Sequence, residues 1–218
     1  MAVRTLLLGD NERAPYHPLH AVQETLEGIL APEFTVEASE DRGRLTADRL
    51  KQPDYGLCIS YTDSWDTAPE PGEAAGLLQF VAGGGGLLVL HSGISLQASP
   101  ELAQLIGGKF TGHPPYTALE FQPAEAEAGQ PNAGQLSAGL PGFRMDEEPY
   151  RFELDLLAEL QVLLTYRHED RDWPAAWARR YGLGRVVFLM PGHHLPSFRN
   201  EIYQQWILRG ACWAAGLL

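Results

Sequence analysis

Residues 83–95 read GGGGLLVLHSGIS. Four successive glycines do not continue a helix, since each costs roughly 1 kcal/mol relative to alanine inside one. The four aliphatic residues that follow do not alternate with polar ones, the pattern of a strand covered on both faces. His91 and Ser92 then sit on a turn at the carboxyl end of that strand. The stretch reads as a helix end, a central strand and a strand-to-helix turn, the repeating joint of an α/β sheet.

The same alternation continues toward the N-terminus. VRTLLLG (3–9) is another continuous apolar run, and 18–30 places Leu19, Val22, Leu26 and Ile29 on one helical face. FTVEA (34–38) reads as a strand, LTADRLKQ (45–52) as a short helix, DYGLCIS (54–60) as a strand and 73–81 as a helix entered by Pro69 and Pro71. Residues 100–106 are helical in pattern. This β-α order predicts a parallel sheet with helices on both faces. Ligands of such sheets bind beyond the carboxyl ends of the strands, so loops 9–18, 61–70 and 91–95 should border the site.

Toward the C-terminus the pattern changes. PAEAEAGQPNAGQLSAG (123–139) reads as an exposed loop or hairpin connection. LQVLLTYR (160–167), WPAAWARRYG (173–182) and GRVVFLMPG (184–192) are β-like, with a hairpin turn at RYGLGR. The last stretch predicts an amphipathic helix opened by Pro196 or Ser197, with Phe198, Ile202, Trp206, Gly210 and Trp213 at steps of three and four.

The 218 residues are expected to form one domain, 1–218, with 44% hydrophobic residues and a formal net charge of −12. That charge repels phosphate backbones and anionic lipid, so neither nucleic acid nor membrane is an expected partner. The run at 5–9 is too short for a signal peptide, and no apolar stretch has the length of a span. Cys58 and Cys212 match no metal spacing and read as core thiols of a cytoplasmic protein. The GGGG run precedes its strand, whereas a phosphate loop follows one, so no nucleotide cofactor is expected.

Five segments, in order, resemble the ThuA-like (trehalose utilisation) family of the class I glutamine amidotransferase-like superfamily: GGGGLLVLHSG, GGKFTGHPP (107–115), MDEEPYRF (145–152), YGLGRVVFLMPGHH (181–194) and the terminal CWAAG (212–216). The resemblance spans nearly the whole chain. It implies a flavodoxin-like three-layer sandwich with a mainly parallel central sheet, and a role in the metabolism of saccharides or oxidised sugar derivatives. Glutamine amidotransferases place a cysteine nucleophile on the turn after a strand. Here that turn reads LHSG, which argues against glutaminase chemistry.

The candidate residues follow from strand ends and from this resemblance. His91 and His193, each at the carboxyl edge of a strand, are expected to be catalytic, because imidazole moves protons near neutrality. The resemblance places a Gly-His pair on Gly192 and His193, with His194 as an outer neighbour. It also places an acidic stretch followed by a tyrosine on MDEEPY. Adjacent side chains in a strand point to opposite faces, so either Asp146 with Glu148, or Glu147 alone, should reach one site. Glu147 and Glu148 are the favoured catalytic carboxylates.

Ser92, His113, Tyr150, Trp65, His17 and Asp10 are the expected substrate contacts, Trp65 by stacking on a sugar face. Ser92 lacks the full G-x-S-x-G elbow and is not expected to be a nucleophile. No H-E-x-x-H or C-x-x-C motif is present, so the cofactor stays open, with a divalent metal as a candidate held by His17, His91, His113, His193 and nearby carboxylates. Hydrolysis or isomerisation of a sugar is the enzymatic reading. A non-catalytic sugar or metabolite binding module is the alternative. Assembly into a homo-oligomer through Trp206 and Trp213 is a third idea.

Overall fold

The computed structural model describes residues 1–52, 54–124 and 134–218. Its first half contains β1 (Val3–Gly9), α1 (Leu19–Leu30), β2 (Phe34–Ser39), α2 (Ala47–Lys51), β3 (Leu57–Tyr61), α3 (Pro71–Ala82), β4 (Gly86–Leu90) and α4 (Pro100–Ile106). Then come β5 (Gly108–Gly112), β6 (Thr117–Pro123), α5 (Gly134–Ser137), β7 (Phe143–Glu147) and β8 (Arg151–Leu154). The chain ends with β9 (Leu160–His168), β10 (Arg171–Tyr181), β11 (Gly184–Leu189), α6 (Leu195–Phe198) and α7 (Glu201–Ala214).

Nine strands form one sheet in the order β2-β1-β3-β4-β11-β10-β9-β6-β7, and β5 pairs with β8 separately. From β2 to β11 every pairing is parallel. Every residue of β3 and β4 is buried, as a parallel strand covered on both faces requires. Helices α1 and α7 touch each other, as do α3 and α4, and α3, α4 and α7 all contact β11. This is the expected flavodoxin-like α/β arrangement, with helices around the central sheet.

Beyond β11 the sheet turns antiparallel. The hairpin at 181–184 forms as expected, with Tyr181 opposite Gly184 and Gly182 at φ 59°. The strands β5 to β8 were not anticipated. β6 nevertheless alternates, burying Leu119 and Phe121 between exposed neighbours. The expected loop at 123–139 starts at the last residue of β6, lies outside the described residues at 125–133, and ends in the short α5.

The terminal helix corrects the expected start. Ser197 and Pro196 belong to the separate α6, and Asn200 opens α7, its side chain accepting hydrogen bonds from the amides of Ile202 (3.1 Å) and Tyr203 (3.0 Å). Trp206 and Trp213 are buried against the core. They therefore expose no patch for subunit assembly. Cys58 and Cys212 are buried free thiols, and burial pushes Cys58 up to about 12. No helix among the described residues is long and apolar enough to cross a membrane.

Candidate active site

The turn after β4 is where the site is built. His91 has φ 44°, in the left-handed region, although it carries a side chain. It is therefore His91, not Ser92, that occupies the strained position of this strand-to-helix turn. Gly93 lets the turn press against β3, since a Cβ there would stand 2.0 Å from the Ser60 carbonyl oxygen. Gly192, at φ 147°, allows the loop after β11 to pass His91, because a Cβ there would lie 2.8 Å from His91 Cβ. Two strand ends thus meet closely enough for their histidines to share one centre.

Three imidazoles and one carboxylate converge. His17 Nε2 lies 3.2 Å from His91 Nε2 and 3.0 Å from His193 Nδ1. Glu148 Oε2 lies 3.3 Å from His91 Nε2, 3.3 Å from His193 Nδ1 and 3.9 Å from His17 Nε2. One ligand atom from each of the four falls within 4.8 Å of all the others, the geometry of a metal-binding group. His113 stands outside it, with Nε2 3.7 Å from the other oxygen of Glu148.

The neighbours orient these rings. His91 Nδ1 lies 2.7 Å from the Met190 carbonyl oxygen, which only accepts, so that nitrogen carries the proton. Tyr150 stacks on the His91 ring with centroids 4.3 Å apart. His17 Nδ1 makes an ion-pair contact of 3.1 Å with Asp63 Oδ2. The other Asp63 oxygen accepts from Trp65 Nε1 at 2.6 Å. Asp10 ties the two loops together, accepting from the Asp63 amide (2.8 Å) and the Ser64 hydroxyl (3.0 Å).

Burial holds His17 below the ordinary imidazole range, and the Asp63 bond offsets only part of that. Burial also opposes ionisation of Glu148, but hydrogen bonds and charge from His193 and His91 outweigh it and hold the carboxyl well below its usual range. For His193 burial is again the largest effect. The bond to Glu148 overcomes it and raises the imidazole above its ordinary value. An acid and a base are thus coupled at one point.

The expected residues divide into three groups. His17, His91, His193 and Glu148 meet directly. Asp10, Trp65, His113 and Tyr150, with His17 and Glu148, line a crevice of about 1050 Å³ whose other walls include Tyr16 and Phe110. Glu147 and Ser92 are fully buried and do not line it. The Ser92 hydroxyl has no hydrogen-bond partner among the described residues. Glu147 instead accepts from the amides of Glu148 (3.0 Å), Gly192 (2.8 Å) and His193 (3.3 Å), and from the Ser197 hydroxyl (2.7 Å). Asp146 is exposed on the far side.

Sequence reasoning missed Ser197 as a support of the site, and Phe110, whose ring packs against Trp65 and Tyr150. Phe110 had one available signal, its place in GGKFTGHPP beside His113. Ser197 had none, because its partner lies 50 residues away.

The parallel half-sheet and the strand-end turn, here with histidine on it, are those of a flavodoxin-like α/β protein. The family model for trehalose utilisation, ThuA, matches residues 6–214, and the chain belongs to that family. Among curated proteins, none matches it. A ThuA-like protein from Parabacteroides merdae is 18% identical, with TM-score 0.77 over 99% of this chain and 90% of that one. A cytoplasmic protein from Salmonella typhimurium is 12% identical, with TM-score 0.68 over 97% and 99% of the two chains. The CTPS glutaminase domain of Trypanosoma brucei, 11% identical, gives TM-score 0.58 over 99% and 94%. These likenesses are of fold.

Proposed function

We propose that this chain is a cytoplasmic enzyme of carbohydrate metabolism that binds a saccharide or an oxidised sugar derivative in the crevice and moves protons on it. The observation that carries this reading is the convergence of His17, His91, His193 and Glu148 at the edge of a crevice walled by aromatic rings and carboxylates. A half-buried tryptophan gives the apolar face of a pyranose a surface, while Asp10, Glu12 and Asp66 offer acceptors to its hydroxyls. Coupled imidazole and carboxylate then suit hydrolysis or isomerisation, both of which need a proton removed and a proton delivered. Membership of the trehalose utilisation family supports the sugar assignment. The buried free thiols and the Salmonella relative support the compartment.

The test is calorimetric titration of the purified protein with mono- and disaccharides and their keto and acid derivatives. NMR of each binding sugar, with wild type and with Glu148→Gln, then follows. Turnover by wild type and its loss in the variant are expected. Tight binding without turnover would make the chain a binding module. No binding by any sugar would overturn the carbohydrate assignment.

A further inference from the structure

We infer that His17, His91, His193 and Glu148 form a binding site for one first-row divalent transition metal. This rests on the same site as the function proposed above and gives it a cofactor.

The first argument is a count of protons. The Met190 carbonyl oxygen accepts from Nδ1–H of His91, so in the neutral ring Nε2 presents a lone pair. Asp63 Oδ2 stands 3.1 Å from Nδ1 of His17 without hydrogen-bond alignment, so either nitrogen of that ring can carry its proton. The His91 lone pair faces Nε2 of His17 at 3.2 Å. The carboxylate oxygen of Glu148, another acceptor, stands 3.3 Å from one and 3.9 Å from the other. Acceptors facing acceptors at such distances repel unless a cation lies among them. A proton on Nδ1 of His193 serves His17 and Glu148, but it leaves the His91 lone pair facing the Glu148 carboxylate at 3.3 Å. A divalent metal satisfies all four donors together.

The second argument is size. Bonds of about 2.0–2.1 Å to zinc set neighbouring ligand atoms of a tetrahedron about 3.3 Å apart. Of the six separations among the four ligand atoms, four lie between 3.0 and 3.3 Å, one is 3.9 Å, and that between His91 and His193 is within 4.8 Å. The third argument is the outer shell. A carbonyl bonded to Nδ1 of His91 and a carboxylate beside Nδ1 of His17 are the kinds of neighbour that metal-ligating histidines keep.

The donor set selects the metal class. Three imidazoles and one carboxylate suit zinc, manganese, iron, cobalt or nickel in the divalent state. They do not suit calcium or magnesium, which take oxygen ligands, nor copper(I), which prefers sulfur. His17 and Glu148 also line the crevice, whereas His91 is fully buried and His193 lies outside it, beside Tyr116. An added ligand, such as a sugar hydroxyl or carbonyl oxygen, would therefore approach from the side of Tyr16 and His113.

The experiment is metal analysis of the full chain as purified, then cobalt titration of chelator-treated protein followed by visible absorption. One equivalent of bound cobalt, with ligand-field bands abolished by zinc, is expected. Glu148→Gln and His91→Ala should each weaken binding at least tenfold, while His20→Ala, at an exposed histidine bonded to Asn11, should not. X-ray absorption of the zinc-loaded wild type should show about three imidazoles, a readout that survives even if a variant fails to fold. No saturable one-to-one binding, or fewer than two imidazoles around the metal, would overturn the site. Metal bound at this site with no sugar response would keep the inference and sink the carbohydrate reading. A sugar response in metal-free protein that binds no cobalt would do the reverse.

Discussion

Glu147 and Glu148 are neighbours in sequence and do opposite work. Glu148 points its carboxylate at three histidines, while Glu147 turns into the protein and gathers three backbone amides and the Ser197 hydroxyl. Two of those amides belong to Gly192 and His193, so Glu147 fixes the loop that carries His193. It is a positioning residue, although its strand lies at the far edge of the sheet, four places from β11.

Replacing Glu147 by glutamine keeps the shape but turns one acceptor oxygen into a donor facing other donors. The expected loss is about 1–3 kcal/mol of stability, the cost of buried groups left unpaired, read by urea denaturation. His193 should lose its place as well, so its NMR imidazole signals should shift. Unchanged stability and unchanged His193 signals would remove the positioning role.

Trp65 is held by its indole N–H on Asp63 and by packing on Phe110 at 4.9 Å. Trp65→Ala should leave the fold intact and weaken sugar binding about tenfold, roughly 1.4 kcal/mol, in line with an aromatic contact. Trp65→Phe should recover part of that. Calorimetric affinities of the three proteins decide it, and equal affinities would exclude stacking.

Gly93→Ala would drive a methyl group into the Ser60 carbonyl oxygen, a backbone atom that cannot step aside. The expected cost is about 1–3 kcal/mol or more, with a lower melting temperature and reduced soluble yield. A variant as stable as wild type would mean that the turn after β4 has room to move.

Away from the site, Glu37 accepts from Tyr55 at 2.5 Å and pairs with Arg44. The Tyr55 bond first, and Arg44 second, hold its carboxyl below the ordinary range. A carboxyl depressed in the folded state adds stability above its unfolded value of about 4.3, and loses it as pH falls through the folded value. The pair is partly exposed and screened, so the effect should stay under about 1 kcal/mol. Melting temperatures from pH 6 to pH 3 should fall less steeply in Glu37→Gln than in wild type. Parallel curves would show that the network adds no pH dependence.

The local part of the fold was legible because its signals are local. Continuous apolar runs marked β1, β3 and β4, since a parallel strand buried on both faces has no polar side to show. Proline before α3 and a positive-φ glycine in the β10–β11 turn are equally short-range. Strands β5 to β8 were harder, because they mix buried with exposed residues and show no continuous apolar run, and are specified by their partners as much as by their own pattern. The sequence also determined that histidines stand at the carboxyl ends of β4 and β11, near the loops that should border a crevice.

Only the tertiary structure decided which of them meet. His17 and His193 are 176 residues apart and touch at 3.0 Å. His113, as good a candidate by sequence, stays outside the group. The choice between Glu147 and Glu148 was also tertiary. Alternation along a strand says that neighbours point apart, but not which face holds the histidines. That depends on how far the antiparallel end of the sheet curls back toward β11, a property of the whole sheet that no window of residues contains.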